Sequence, residues 1–230
     1  MSIRIGKSVA ALAITAGGLF ASAASADVVL VSMSYDDLSG SYSTVSGNFT
    51  ALAVDQPNLR SYADVSRLVA TPGNASFAPG FVSQADDAAF GLTISVGALN
   101  VNNTRNGAGS FTATDANGDT IVGAVNGTWI NLGFGFVQFQ GVLTQVFLND
   151  NGIQDGLFNG SNGGSWNLNL PAAAPYTGAL VQLTLGANGF FSRDFTNRAT
   201  GLSAQIVPTP GTAALLGLGG LAMVTRRRAR

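Results

Sequence analysis

Two short segments carry the residue types and spacings in this chain that could do chemistry. Asn149-Asp150-Asn151-Gly152-Ile153-Gln154-Asp155-Gly156 sets carboxylate and amide side chains between glycines, and Asp115-Ala116-Asn117-Gly118-Asp119 has oxygen side chains at its first, third and fifth positions. Carboxylate, amide and backbone oxygens are the ligands of a hard cation such as Ca²⁺. In the first segment Asp150, Asn151 and Asp155 are the candidate ligands. The second lacks the glycine at position six and the acidic residue at position twelve of an EF-hand loop. A hairpin accounts for it, because Asn117-Gly118 suits a type I′ turn. On that reading a calcium-dependent stability rests on Asp155 and is indifferent to Asp119.

Little other chemistry is open to residues 27–207, which contain no His, Cys, Lys or Glu. There is no histidine base, thiolate or Schiff-base lysine, and no nitrogen or sulfur ligand set for zinc. The pairs Asp36-Asp37 and Asp86-Asp87 could supply two carboxylates to a glycosidic bond, but neighbours on a strand face opposite ways. Solvated turns explain both pairs, and the chain is expected not to be an enzyme. Trp129 and Trp166 could stack on sugars, though core packing is the commoner role of such rings. Five Asn-x-Ser/Thr triplets, at 48, 74, 102, 126 and 159, follow from the Asn, Ser and Thr content.

Charge narrows the partners further. Five arginines (60, 67, 105, 193 and 198) face all twelve aspartates of the chain in residues 27–207, a formal charge of −7. Nucleic acid is excluded as a partner, since a polyanion would be repelled and no basic patch is present to release its counterions.

The elements that must position these residues are strands. Val, Thr, Phe, Leu and Ile recur in short runs broken by Asn-Gly, Asp-Gly and Pro-Gly pairs. Alternation marks residues 27–35, 49–54, 90–96 and 111–114. Residues 109–131 read as a hairpin, residues 134–148 as further strand, and residues 149–164, rich in Gly and Asn, as a long surface loop. Residues 59–69 fit a short helix or a strand equally. The expected fold is all-β, one antiparallel β-sandwich or jelly roll over residues 27–207. At about 180 residues such a domain buries roughly 70% of its unfolded surface, so the missing cysteines leave no deficit.

The two ends read as addresses. Residues 1–26 run from Arg4 and Lys7 through an apolar stretch at 9–20 to Ala24-Ser25-Ala26, the order of a helical secretory signal cleaved after Ala26. At the other end Val207-Pro208-Thr209-Pro210-Gly211 precedes an apolar run at 212–225 and then Arg226, Arg227, Arg228 and Arg230. The run is short for a permanent span, and its arginines orient it with the cluster in the cytoplasm.

This tripartite tail, residues 208–230 with Val207 leading in, resembles the PEP-CTERM sorting signal, with Thr209 where glutamate is usual. The resemblance implies a short C-terminal hydrophobic helix, transient membrane contact, and cutting near the motif by an exosortase after signal peptidase has acted. It implies a destination in the cell envelope or extracellular matrix. A structural or adhesive role is then expected, with exopolysaccharide or matrix components as partners. The alternative is a calcium- or glycan-binding module.

Overall fold

A computed structural model describes residues 28–81, 88–186 and 189–209 of the chain. The alternating runs become strands in chain order: β1 (Val31–Ser43), β2 (Asn48–Leu52), β3 (Asp55–Gln56), β4 (Leu59–Arg60), β5 (Tyr62–Arg67), β6 (Gly73–Phe77) and β7 (Ala89–Ser95). They continue as β8 (Thr104–Thr114), β9 (Thr120–Gly133), β10 (Phe136–Asn149), β11 (Leu157–Asn159), β12 (Ser165–Asn167), β13 (Tyr176–Gly186) and β14 (Phe195–Val207). No helix occurs among the described residues. Residues 59–69 therefore resolve to the strand alternative. Ala63, Val65 and Arg67 of β5 turn inward at every second position while β5 pairs with β1.

The all-β expectation holds, and the sandwich or jelly roll does not. Eight strands close a ring in the order β1-β2-β7-β8-β9-β10-β13-β14, each antiparallel to the next, and β14 pairs back on β1 from Ile206↔Val31 to Phe195↔Tyr42. A sandwich needs two sheets with free edges; here the first and last ring strands are each other's edge, and the result is an eight-stranded barrel. The signal and tail helices fall on residues 1–26 and 212–225, outside the described residues.

Curvature comes from bulges and from glycines inside strands. Register shifts interrupt the β1/β14, β9/β10, β10/β13 and β13/β14 ladders. Gly107, Gly127 and Gly141 stand opposite one another across β8, β9 and β10. A Cβ on Gly127 would lie 2.1 Å from the Gln140 carbonyl oxygen, so this row lets the three strands fold close together where the barrel turns.

Strand β1 serves two neighbours on one edge. Its first half pairs with β5 and its second with β2, and the change falls at Asp36-Asp37, where Asp37 takes a φ of 55°. Both aspartates are exposed, so the bulge defeats the alternation expected of them. The β5–β6 hairpin flares from the ring there, and the β11–β12 hairpin docks on β6 through Ser76, whose N–H reaches the Gly163 carbonyl at 3.0 Å.

Aromatic rings fill the interior in two groups. Towards the end formed by the β1–β2 and β13–β14 connections, Trp129 meets Phe49, Phe139 and Phe191 edge-on, at centroid distances of 5.2, 4.7 and 4.8 Å. In the flared half Tyr35, Phe90, Phe81, Phe77, Phe158 and Trp166 form a chain of contacts. Both tryptophans are buried, with indole N–H groups donated to the carbonyls of Ser95 and Val65.

The glycine row generates a matched test. Gly127→Ala should lower stability by about 1 to 3 kcal/mol through overpacking, read as a drop in the urea midpoint. Gly91→Ala, whose Cβ would meet only Leu52 Cδ2 at 3.6 Å, should stay within about 0.5 kcal/mol of the parent. Equal effects at the two positions would remove the close-approach explanation.

Candidate cation site

Three segments meet at the end of the barrel where β8 turns into β9. The turn is a five-residue connection in which the Asp115 N–H reaches the Asp119 carbonyl at 2.9 Å. Gly118 takes a φ of 93° and Asn117 is not in the left-handed region, so the hairpin stands but the type I′ turn, which needs positive φ at both central residues, does not. A wider loop forms because the Asp115 carboxylate organises it. Its Oδ1 accepts from the N–H groups of Asn117 and Asp119, both at 2.8 Å. Its Oδ2 accepts from the Asn159 N–H at 2.7 Å, which ties β11 to the turn.

The second segment is the start of the loop after β10. Asn149 closes the β9–β10 ladder opposite Thr120, and the amides of Asn149 and Asn151 both donate to the Thr120 hydroxyl, at 3.2 and 3.0 Å. Asp150 is held between them. Gly152 then passes against the turn: its N–H donates to Asp119 Oδ1 at 2.7 Å, and a Cβ there would lie 2.0 Å from the Asn117 carbonyl oxygen. Only glycine permits that approach. The third segment is the lead into β11, where Asp155 accepts from the Leu157 N–H at 2.8 Å and from the Asn159 amide at 3.1 Å. The expected surface loop at 149–164 thus contains β11 and the buried Phe158, held because the Asp115 and β6 contacts satisfy its backbone.

The outcome is a cluster of three carboxylates. Asp119, Asp150 and Asp155 present oxygens that all lie within 4.8 Å of one another, Asp119 fully buried and the other two exposed. Burial raises the Asp119 carboxyl above its ordinary value of 3.8; the Gly152 N–H opposes this, and the charges of Asp115 and Asp150 add to it.

Of the ligands expected from sequence, Asp150 and Asp155 are brought together. The side-chain N–H of Asn151 donates to the Thr120 hydroxyl. Asp119, which the hairpin reading assigned to the turn alone, joins the cluster. The other sequence candidates fall elsewhere. Val207 pairs with Thr177, Pro208 is buried, and the Thr209 hydroxyl donates to the Pro175 carbonyl. Ala24, Ala26, Asp86-Asp87, Pro210, Gly211, Arg226, Arg227, Arg228 and Arg230 lie outside the described residues.

Fold and site together define a closed antiparallel barrel with an acidic cluster between two of its connections. Comparison with family models, with characterised proteins and with solved structures returned no match.

Asp115 and Asp119 should respond oppositely to replacement. Asp115→Ala strands three buried or half-buried N–H groups and should cost about 3 kcal/mol or more in denaturant unfolding. Asp119→Asn keeps an oxygen for the Gly152 N–H and removes a charge that burial disfavours. Because the folded-state value is raised, the Asp119 contribution to stability is complete below 3.8 and is lost as pH rises through the raised value. In chelator at neutral pH the Asn variant should therefore melt no lower than the parent, and its stability should fall less as pH is raised through that range. A lower melting temperature at neutral pH, with the same pH profile as the parent, would contradict the assignment.

Proposed function

We propose that the chain is an exported, non-catalytic barrel that acts at the cell envelope or in the extracellular matrix in a structural or adhesive role, after processing by signal peptidase and an exosortase. The observation that carries this proposal is the division of labour between the barrel's two ends. At one end the Leu30 N–H donates to the Ile206 carbonyl at 2.8 Å, so the chain enters and leaves the barrel side by side. A cut beyond Pro208 spares every strand pair. At the opposite end the β1–β2, β7–β8 and β9–β10 connections carry Val45, Val101 and Phe134, which are 95%, 102% and 102% exposed. A barrel tethered through residues 208–230 would turn these apolar tips away from the envelope. These tips are the apolar side chains that a partner at that end would meet first.

A glycan-binding reading has its own support at the same end. Arg193 and Arg198 flank a depression of about 430 Å³ beside Asp194, Phe195 and Thr196. The adjoining hollow is lined by Ser41, Ser46, Asn48 and Thr93 together with the rings of Tyr42 and Phe195. Two guanidiniums beside a hollow with hydroxyl groups and aromatic rings suit an acidic polysaccharide. Neither tryptophan is available for stacking.

The test combines mass and retention. Expressed in its own host, the protein should lose residues 1–26 and the tail beyond Pro210, and should co-fractionate with surface or matrix material. Replacing Val45, Val101 and Phe134 together by serine should release it from that fraction without lowering its melting temperature. Release by Arg193→Ala with Arg198→Ala, and not by the serine variant, would favour the glycan reading. A species that keeps both its signal and Arg230 in the soluble cytoplasm would refute the export route.

A further inference from the structure

We propose that Asp119, Asp150 and Asp155 bind one hard divalent cation of the calcium class, which clasps the β8–β9 turn to the loop that follows β10. The inference goes beyond the export and adhesion proposal and does not depend on it.

The burial of Asp119 carries the argument. Exposed carboxylates gather on acidic surfaces without any ligand, but Asp119 is fully buried and its Oδ2 has no hydrogen-bond donor. A charged oxygen withdrawn from water without a partner is costly, and natural structures place one where something else completes it. The same carboxyl group offers an oxygen within 4.8 Å of one from each of Asp150 and Asp155. Ca²⁺ bonds to oxygen at 2.3–2.6 Å, so oxygens around one ion are separated by up to about 5 Å. The cluster fits inside that limit.

The rest of the surroundings agree. Asp115, four residues earlier and equally buried, has both oxygens occupied by backbone N–H groups, so the unsatisfied oxygen belongs to Asp119 alone of the pair. The exposure of Asp150 and Asp155 leaves the ion a path from solvent and room for the waters that a calcium site with few protein ligands keeps. Three carboxylates, with no nitrogen or sulfur donor among them, select calcium over zinc or copper. Magnesium demands shorter bonds and stricter octahedral geometry, so it should bind more weakly here.

The purified protein should be melted in about 10 mM CaCl₂, in about 10 mM MgCl₂ and in excess chelator, concentrations that reach extracellular-type sites. Calcium at a hundredfold its dissociation constant should raise the melting temperature of a barrel this size by about 5 to 10 °C over chelator. Magnesium should give a smaller shift. Asp119→Asn and Asp155→Asn should lose the calcium shift, whereas Asp64→Asn, whose carboxylate accepts from the Asn74 amide outside the cluster, should keep it. Should Asp119→Asn fail to fold, Asp150→Asn, an exposed position, should still lose the shift. No calcium shift in the parent protein, a shift that survives in folded Asp119→Asn or Asp150→Asn, or an equal shift with magnesium would each overturn the proposal.

Discussion

Pairing of β14 with β1 is the constraint on which the rest of the structure depends. An eight-stranded sheet with free edges would expose two rows of backbone donors and acceptors, and closing the ring satisfies both rows at once. Closure also fixes which connections share an end. The chain enters and leaves at one end, where the β8–β9 turn and the loop after β10 also lie, and the other end is left to four connections. The ring must bend to close, and the bend is supplied where side chains would obstruct it: at the glycine row across β8, β9 and β10 and at bulges in the long strands. Gly107 has a further reason, since a Cβ there would meet Trp129 Nε1 at 2.7 Å.

Much of this was legible in the residues, and the part that was not has a common cause. The hairpin over 109–131 and the strands across 31–35, 49–52 and 90–95 follow from alternation and turn residues, which are local signals. Closure depends on β1 meeting β14 from more than 150 positions away, and alternation carries no record of which strands become neighbours. Glycine misled for a related reason. It reads as a turn residue, yet Gly107, Gly127 and Gly141 are mid-strand, where the need is for backbone approach rather than positive φ.

Asp119 shows where a local reading stops short. Taken alone, Asp115 to Asp119 is a hairpin turn, and that is correct. Its second role appears only when β10 is laid back along β9 from the Gly133–Phe136 turn, because continuing that ladder to its end sets Asn149 opposite Thr120. Both oxygen-rich segments then lie side by side, and each supplies what the other lacks. The β8–β9 turn has a buried carboxylate without enough donors, and the 149–156 segment has exposed carboxylates without an anchor in the core.

The two aspartates of the turn divide the work by the partners they find. Asp115 faces N–H groups from its own turn and from β11, each a fixed dipole built into the backbone, so its charge is compensated as soon as the chain folds. Asp119 receives the Gly152 N–H on one oxygen and lies near the like charges of Asp115 and Asp150. Backbone donors answer part of this, but burial remains the largest influence on the group and its Oδ2 has no donor. A bound cation would supply what that oxygen lacks. The energetic consequence falls on the loop between β10 and β11: neutralised, the cluster draws the loop onto the turn; left bare, it opposes the Gly152 and Asn159 hydrogen bonds that dock it.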